Sequence, residues 1–403
     1  MGQMRLGIDA SNIRDGGGLG HISEILRAAQ PEKHGISKVI VWGGQVTLGR
    51  MPGRSWLECR HDPLLDQSLP VRIYWQMRKL PLLAAEFCDL LLAPGGIHAG
   101  RNKPFVVISQ NMLPFEFAEL RRYGFSSLAL KYLLIRLAQI NSFQHAQGAI
   151  FMTQYSRSLV KKAAKLEGNY PIIPYGISQD FRQLPREQKP LRDYSVAAPF
   201  KLLYVSKLEP YKHHRQVIEA IGQLRSEGLP VTLDLIGSPE KPDRLRDLQT
   251  TLNRVDAQGN FIHYRGHLSY QEVIAAYHQA DGFVFASSCE TLPNILLEAM
   301  AAGLPVASSS YGPMPEALGD AGLYFDPLQP ESIACAVRSL VTDHVWRAQA
   351  AHLGYERAQA YTWERCADDT FSYLAEIASR TATANVHQPS ELTKLNRLSG
   401  NAE

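Results

Sequence analysis

Apolar and polar positions alternate along this chain in blocks rather than residue by residue. Short, nearly unbroken apolar runs recur: MRLGIDAS from Met4, KVIVW from Lys38, Leu90 to Ala93, and Phe105 to Ser109. After a gap come KLLYVSKL from Lys201, VTLDLIG from Val231, FIHYRG from Phe261, GFVFASS over Gly282 to Ser288, PVASSS from Pro305 and GLYFDP from Gly322. The stretches between them carry apolar residues every three or four positions. Runs of this kind are strands buried on both faces, and their alternation with amphipathic helices predicts parallel sheets covered by helices on both sides. The pattern lapses between Phe181 and Phe200, where QLPREQKPLRDYSVAAP is rich in proline and charge and without periodicity. A break of that composition between two patterned halves reads as a linker. The expectation is an α/β chain of two Rossmann-like domains, residues 1–182 and 200–362, with residues 183–199 between them. Two such domains joined by a linker make a cleft, where ligands usually sit. A further helix is expected over 363–379, and a polar, aperiodic, disordered tail over 380–403.

Composition narrows the partners more than the fold. With 42 basic and 39 acidic residues the net charge is +3, too balanced to point to nucleic acid. The five cysteines, Cys59, Cys88, Cys289, Cys335 and Cys366, are scattered with no Cys-x-x-Cys pair, so neither a disulfide framework nor a zinc site is indicated. A first strand beginning within a few residues of Met1, and the lack of any run of about eighteen apolar residues, suit a protein kept in the cytoplasm. From Arg121 to Ala146 the pattern is helical, with Leu130, Leu133, Leu134 and Leu137 on one face and Arg121, Arg122, Lys131 and Arg136 around it; the next helix brings Lys161, Lys162 and Lys165. Two readings stand: a core-facing helix with a solvated rim, or a surface that meets anionic lipid headgroups.

The densest chemistry lies in GFVFASSCETLPNILLEAMAAGLPVASSS, residues 282–310. It reads as strand, turn, helix from about Pro293 to Ala302, and strand. Glu290 falls on the turn and Glu298 inside the helix, four residues beyond Asn294 and on the same face as the first turn. Ligands of open parallel sheets bind outside the carboxyl ends of strands, and free N–H groups at a helix start favour a diphosphate. Carboxylates would repel that anion, so the consistent arrangement puts the amides of Asn294 and Ile295 at phosphates and the two glutamates at hydroxyls on either side. A nucleotide sugar has hydroxyls on both sides of its diphosphate. Two glutamates near a helix start also suit the helix dipole alone. The first strand of this half ends in SKLEPYK, placing Lys207 and Lys212 just before a helix, where they could grip a diphosphate or be solvated loop lysines.

In the first half, Asp15-Gly-Gly-Gly-Leu-Gly-His21 follows the opening strand. The dinucleotide fingerprint is not met, since Ser23 stands where the third glycine belongs and no acidic residue ends the second strand. Gly17 and Gly18 let a backbone approach a phosphate or sugar, or form a plain flexible turn.

ETLPNILLEAMAAGLPV closely resembles the motif of retaining glycosyltransferases of family 4, in which two glutamates are separated by seven residues. The resemblance is strongest from about Lys201 to Pro327 and traceable across the first half. It implies the GT-B fold, with nucleotide-sugar donor in the second domain, acceptor on the first, and the closing helix crossing back onto the first domain. Glu290 would face the donor sugar and Glu298 the ribose, with Lys207, where an arginine is more usual, and Lys212 on the diphosphate. Many members carry His-Asp after the strand at Phe105; here Gln110 and Asn111 stand at those positions, leaving His21 or His98 as substitutes on the acceptor side. No metal and no other cofactor are expected, because the lysines supply the charge a divalent ion would bring and no Asp-x-Asp occurs in a suitable context. EPYKHH and YGPMPEALGDAGLYFDP resemble transferases of bacterial surface-polysaccharide clusters, which implies a glycan or lipid-linked glycan acceptor in lipopolysaccharide, capsule or exopolysaccharide synthesis and a peripheral place on the inner membrane face. A nucleotide-sugar epimerase or phosphorylase on the same fold, or a catalytically idle binding protein, are the competing readings.

Overall fold

The computed structural model describes residues 4–14, 16–100 and 104–386. Its frame is two six-stranded sheets, parallel throughout. The first contains β1 (Met4–Asp9), β2 (Ile36–Gly43), β3 (Leu57–His61), β4 (Leu90–Ala93), β5 (Phe105–Ile108) and β6 (Gly148–Ile150), in the order β3-β2-β1-β4-β5-β6. The second contains β7 (Phe200–Val205), β8 (Val231–Ile236), β9 (Ile262–Gly266), β10 (Gly282–Phe285), β11 (Val306–Ser309) and β12 (Gly322–Phe325), in the order β12-β11-β10-β7-β8-β9. In both sheets the order reverses direction beside the first strand, so the carboxyl ends of β1 and β4, and of β7 and β10, flank crevices of the kind that bind ligands. The central strands β4, β5 and β10 are buried along their whole length, as their unbroken apolar runs require.

The helices that shape the site are α1 (Gly16–Ala28), α2 (Leu69–Arg78), α3 (Leu80–Phe87), α4 (Ser127–His145), α5 (Gln154–Ala164), α6 (His214–Ser226), α7 (Tyr270–Gln279), α8 (Asn294–Ala301) and α9 (Trp363–Val386). The glycines expected to form a loop are the first turn of α1, which His21, Ile22, Ile25 and Leu26 hold against the sheet. The single helix expected over Arg121 to Ala146 is divided: a short helix, Phe117–Arg121, ends before α4, and Gly124 turns the chain between them at φ +55°. The leucines of α4 at 130, 133, 134 and 137 face solvent rather than the core, against the core-facing reading.

The stretch between the sheets lies along the second domain. Arg347, fully buried, donates to the carbonyls of Leu340, Val341 and Lys189 and to the Gln188 side chain, and Gln183 N donates to the Ala301 carbonyl. Helix α9 then packs on the first domain, with Asp368 2.9 Å from His34 and Trp363 stacked 6.0 Å from Tyr175. A Cβ at Gly176 would stand 2.3 Å from the Trp363 nitrogen, so only glycine allows this crossing. The helix continues past 379 to Val386; the rest of the expected tail lies outside the described residues.

Candidate active site

In the second domain, the ladder of β10 ends at Phe285, and Ala286 to Ser288 continue as buried loop rather than strand, with Ser288 N donating to the Tyr211 carbonyl. Glu290 sits beyond this bend. Its Oε1 takes the Lys212 ammonium, whose side chain is 7% exposed and lies 5.3 Å from the Phe285 ring centroid and 5.4 Å from that of Tyr211. The two residues expected to act separately, one on sugar and one on phosphate, are thus one ion pair. Lys207, by contrast, is exposed at the exit of β7. Its charge reaches Glu240, which accepts a hydrogen bond from Glu209; burial, then that hydrogen bond, pushes the Glu209 carboxyl up to about 7, while accepting the bond holds Glu240 below its ordinary range against the opposing effect of burial.

Glu298, in the second turn of α8, accepts a hydrogen bond at Oε2 from the Tyr277 hydroxyl at 3.0 Å. Burial raises its carboxyl to about 7, against the smaller opposing effect of that hydrogen bond. Tyr277 is itself fully buried, stacked on Phe283 at 5.5 Å and edge-on to Phe181 at 5.3 Å. At the helix start the Asn294 amide is engaged with the Leu292 carbonyl, which removes one of the two amides expected at a phosphate. The Ile295 N–H, in the first turn, has no intrahelical acceptor, and Asn294 Oδ1 is buried without a partner among the described residues.

The first domain supplies the opposite wall. Gly17, Gly20, His21 and Glu24 of α1 with Tyr175, Ser178 and Asp180, joined by Tyr270 of the second domain's α7 and Trp363 of α9, enclose a cavity of about 440 Å3 that reaches Asn294 and Glu298. That is within the range of ligand clefts. His21, which lines this cavity, is met by Gln110: the Gln110 amide donates to His21 Nδ1 at 2.7 Å, and the imidazole packs 4.1 Å from the Tyr175 ring. Burial drives the His21 pKa down to about 3, so this imidazole is neutral, and the Gln110 amide facing Nδ1 makes that nitrogen the acceptor. Asn111 is turned away to cap the Leu113 amide at 3.2 Å. His98 is elsewhere: its amide donates to Ser142 of α4, and it lines a separate cavity with Met77, Pro81, Leu82 and His145.

The loop after β10 also touches the first domain directly. Ser288 Oγ donates to Glu119 Oε1 at 2.8 Å and lies 2.8 Å from His213 Nε2, while Thr153 donates to the Thr291 carbonyl. Glu316 of the second domain accepts from the Gln154 and Tyr155 amides at the start of α5. His213 holds a left-handed backbone at φ 50°, unusual for a non-glycine residue and common at functional sites.

Residues 199–343 match the family model described as glycosyl transferases group 1. The match lies within the second domain and leaves the first domain outside it. The O-antigen chain mannosyltransferase B of Escherichia coli is 30% identical over 239 residues, covering 57% of this chain and 61% of that relative. The chain therefore spans about three-fifths of that relative's length. The fold is shared more widely: sucrose-phosphate synthase from Thermosynechococcus elongatus superposes with a TM-score of 0.72 at 16% identity, over 94% of this chain and all of that one. Anabaena HepE in complex with UDP-glucose superposes with a TM-score of 0.64 at 17% identity over the same shares. The two-sheet arrangement is the GT-B fold of these glycosyltransferases.

The matched residues include Lys207, Lys212, Glu290, Asn294, Ile295 and Glu298, whereas Gly17, Gly18, His21, His98, Gln110 and Asn111 lie outside them. Sequence reasoning missed Tyr277, Glu119, Glu316 and Asp180. Tyr277 had a signal in its helical face, shared with Ile274, but nothing in the sequence says which carboxylate such a phenol meets. The expected basic surface is also dispersed. Arg122 pairs with the nearly buried Glu119 at 2.7 Å, and Lys161 donates to the Gly168 carbonyl and lies over the Tyr170 ring.

Proposed function

We propose that the protein is a retaining glycosyltransferase that moves a sugar from a nucleotide-sugar donor to a glycan or lipid-linked glycan, in bacterial lipopolysaccharide, capsule or exopolysaccharide synthesis. The observation that carries this reading is the spacing of roles along one loop and helix of the second domain. A carboxylate paired with an ammonium stands at Glu290 and Lys212, the Ile295 N–H is left without an intrahelical acceptor at the start of α8, and Glu298 faces the shared cavity from one turn further in. The nucleoside belongs in that cavity, its ribose hydroxyls donating to Glu298, and the diphosphate at Lys212 and the Ile295 amide. Lys207, exposed at the rim, adds a point charge.

As the bond from sugar C1 to the diphosphate oxygen lengthens, negative charge grows on the leaving oxygens. Lys212 is held in place by Glu290 and by two ring faces, so it meets that charge already oriented. Glu290 Oε2 remains to accept from a hydroxyl of the transferred sugar. Retention rests on the resemblance of the two-glutamate motif, and the lysines support transfer without a metal. An acceptor carried on lipid would put the reaction at a membrane surface. Thermal shift against a panel of nucleotide sugars, followed by NMR of the product's anomeric proton, tests the reading. One donor should raise the melting temperature and give product of unchanged anomeric configuration; no shift with any donor, or an inverted product, would sink it.

A further inference from the structure

Helix α4 is amphipathic the wrong way round for a core helix. Leu130, Leu133, Leu134 and Leu137, at the i, i+3, i+4, i+7 spacing of one face, are 45–58% exposed. Its inward residues include the polar Gln139 and Ser142. Just before it, on the turn made by Gly124, Phe125 stands fully exposed, and Phe117 nearby is more than half exposed beneath the Arg136 guanidinium at 4.4 Å. A second exposed apolar set follows on α2 and α3: Leu69, Ile73, Tyr74, Met77 and Leu82. The two sets share one side of the domain, because the cavity holding His98 has Met77, Pro81 and Leu82 on one wall and Asn141 and His145 of α4 on the other.

Charge selects the occupant. Residues 127–145 contain Lys131 and Arg136 and neither Asp nor Glu; residues 69–87 contain Arg72, Arg78 and Lys79 against Glu86 alone. Arg72 is buried and Lys79 pairs with Asp62, which leaves Arg78 and Lys131 exposed beside the apolar residues, the Lys131 charge also reaching Glu240 of the second domain. A second copy of the chain placed on this face would set cations against cations with too little acid to answer them. Anionic headgroups answer them directly, and the leucines and Phe125 suit the boundary beneath. Among the described residues no helix is long and apolar enough to cross a membrane, so the contact is with one leaflet.

We propose that the face formed by α4, the Phe125 turn, α2 and α3 is a docking surface for an anionic lipid bilayer. The surface is a property of the first domain; only its purpose, bringing a lipid-linked acceptor to the cleft, rests on the transferase reading. Arg121, Arg122, Lys161, Lys162 and Lys165 are not part of it. Helix α5 bears its lysines with no large exposed apolar residue among them, and Arg122 is engaged with Glu119.

The test is flotation of the full chain with phosphatidylcholine vesicles, with and without about one-third phosphatidylglycerol. Wild type should float with the anionic vesicles. Leu130→Ser/Leu134→Ser should lower the partition at least about tenfold, and Lys131→Glu about fivefold, the latter effect fading in high salt. These side chains are already in solvent, so folding is kept; an unchanged melting temperature of the variants, and an unchanged shift with nucleoside diphosphate, checks that. Flotation that is absent, indifferent to phosphatidylglycerol, or unaltered in the leucine variant overturns the proposal. So does a dimer in sedimentation that the leucine variant dissolves while vesicles bind neither form. Failure here with nucleotide binding intact sinks the surface alone. Vesicle binding by a wild type that binds no nucleotide sinks the transferase reading alone.

Discussion

Replacing Glu298 by glutamine should reshape the pH dependence of stability in a way that follows from the Glu298 environment. The carboxyl ordinarily titrates near 4.5, and in the folded protein burial raises it to about 7. The unfolded chain therefore gives up this proton first. Stability from the group is fully present below the unfolded value and is lost as pH rises through the folded one. A gap of about 2.5 pH units between the two states is worth roughly 3 kcal/mol. Glu298→Gln keeps an oxygen to accept from Tyr277 and has no proton to lose. Urea midpoints of both proteins without nucleotide, from about pH 5 to about pH 8, should show the variant gaining 2 to 3 kcal/mol, roughly, relative to wild type across that range. Nucleoside diphosphate affinity carries the opposite sign in wild type. If ribose hydroxyls donate to a carboxylate, binding should tighten with pH up to about 7, by at most about tenfold per unit, and should be flat in the variant. Parallel stability curves for the two proteins would refute the burial argument, and a pH-independent wild-type affinity would refute the ribose assignment.

Three other outcomes are expected. Glu290→Gln leaves the Lys212 ammonium without its counter-charge, so calorimetry should find affinity for bare nucleoside diphosphate held or increased while turnover of the full donor falls roughly tenfold to a hundredfold; a loss of diphosphate affinity as large as that of Glu298→Ala would refute the assignment. Transfer, or slow donor hydrolysis, should persist in excess chelator, and activity lost to EDTA and restored by Mg2+ or Mn2+ would show that the lysines are insufficient. Gln110→Ala strips the partner from buried His21 Nδ1 and should cost about 1–3 kcal/mol in urea unfolding; an unchanged midpoint would mean that the contact contributes nothing.

Most of the frame was legible because both sheets are covered on two faces, which turns strands into apolar runs. The two strands without such a run were missed. β3 (LECRH) is a half-exposed edge whose polar residues keep ion pairs, Glu58 with Lys38 and Arg60, and β6 contributes only Gly148, Ala149 and Ile150. Helices α2 and α3 were missed for a related reason, since Ile73, Tyr74, Met77 and Leu82 break the expected polar outer face. The same inversion decides against the core-facing one of the two readings of α4. A helical period in the sequence fixes that a face exists, and the tertiary surroundings decide whether that face is covered.

The site divides along a similar line. Glu290, Glu298, Lys207 and Lys212 stand out in the sequence because a strand end and a helix start leave few places for such residues, and the structure pairs Glu290 with Lys212 while Lys207 stays exposed at the exit of β7. Their partners come from distant segments: Tyr277 lies 21 residues from Glu298 and Lys212 lies 78 from Glu290, while Glu119 reaches Ser288 across 169 residues and a domain boundary. Such contacts determine which carboxylate is a titrating acid and which is half of an ion pair, and spacing carries no record of either. Glu298, raised to about 7, and Glu290, held against an ammonium, are the same residue type eight positions apart in sequence. One stands where an apolar wall discourages charge and a phenol tolerates it; the other has a fixed charge beside it. Under the proposed function, a donor that needs one acceptor for its ribose and an oriented cation for its leaving group would find both because the fold has already separated the two environments.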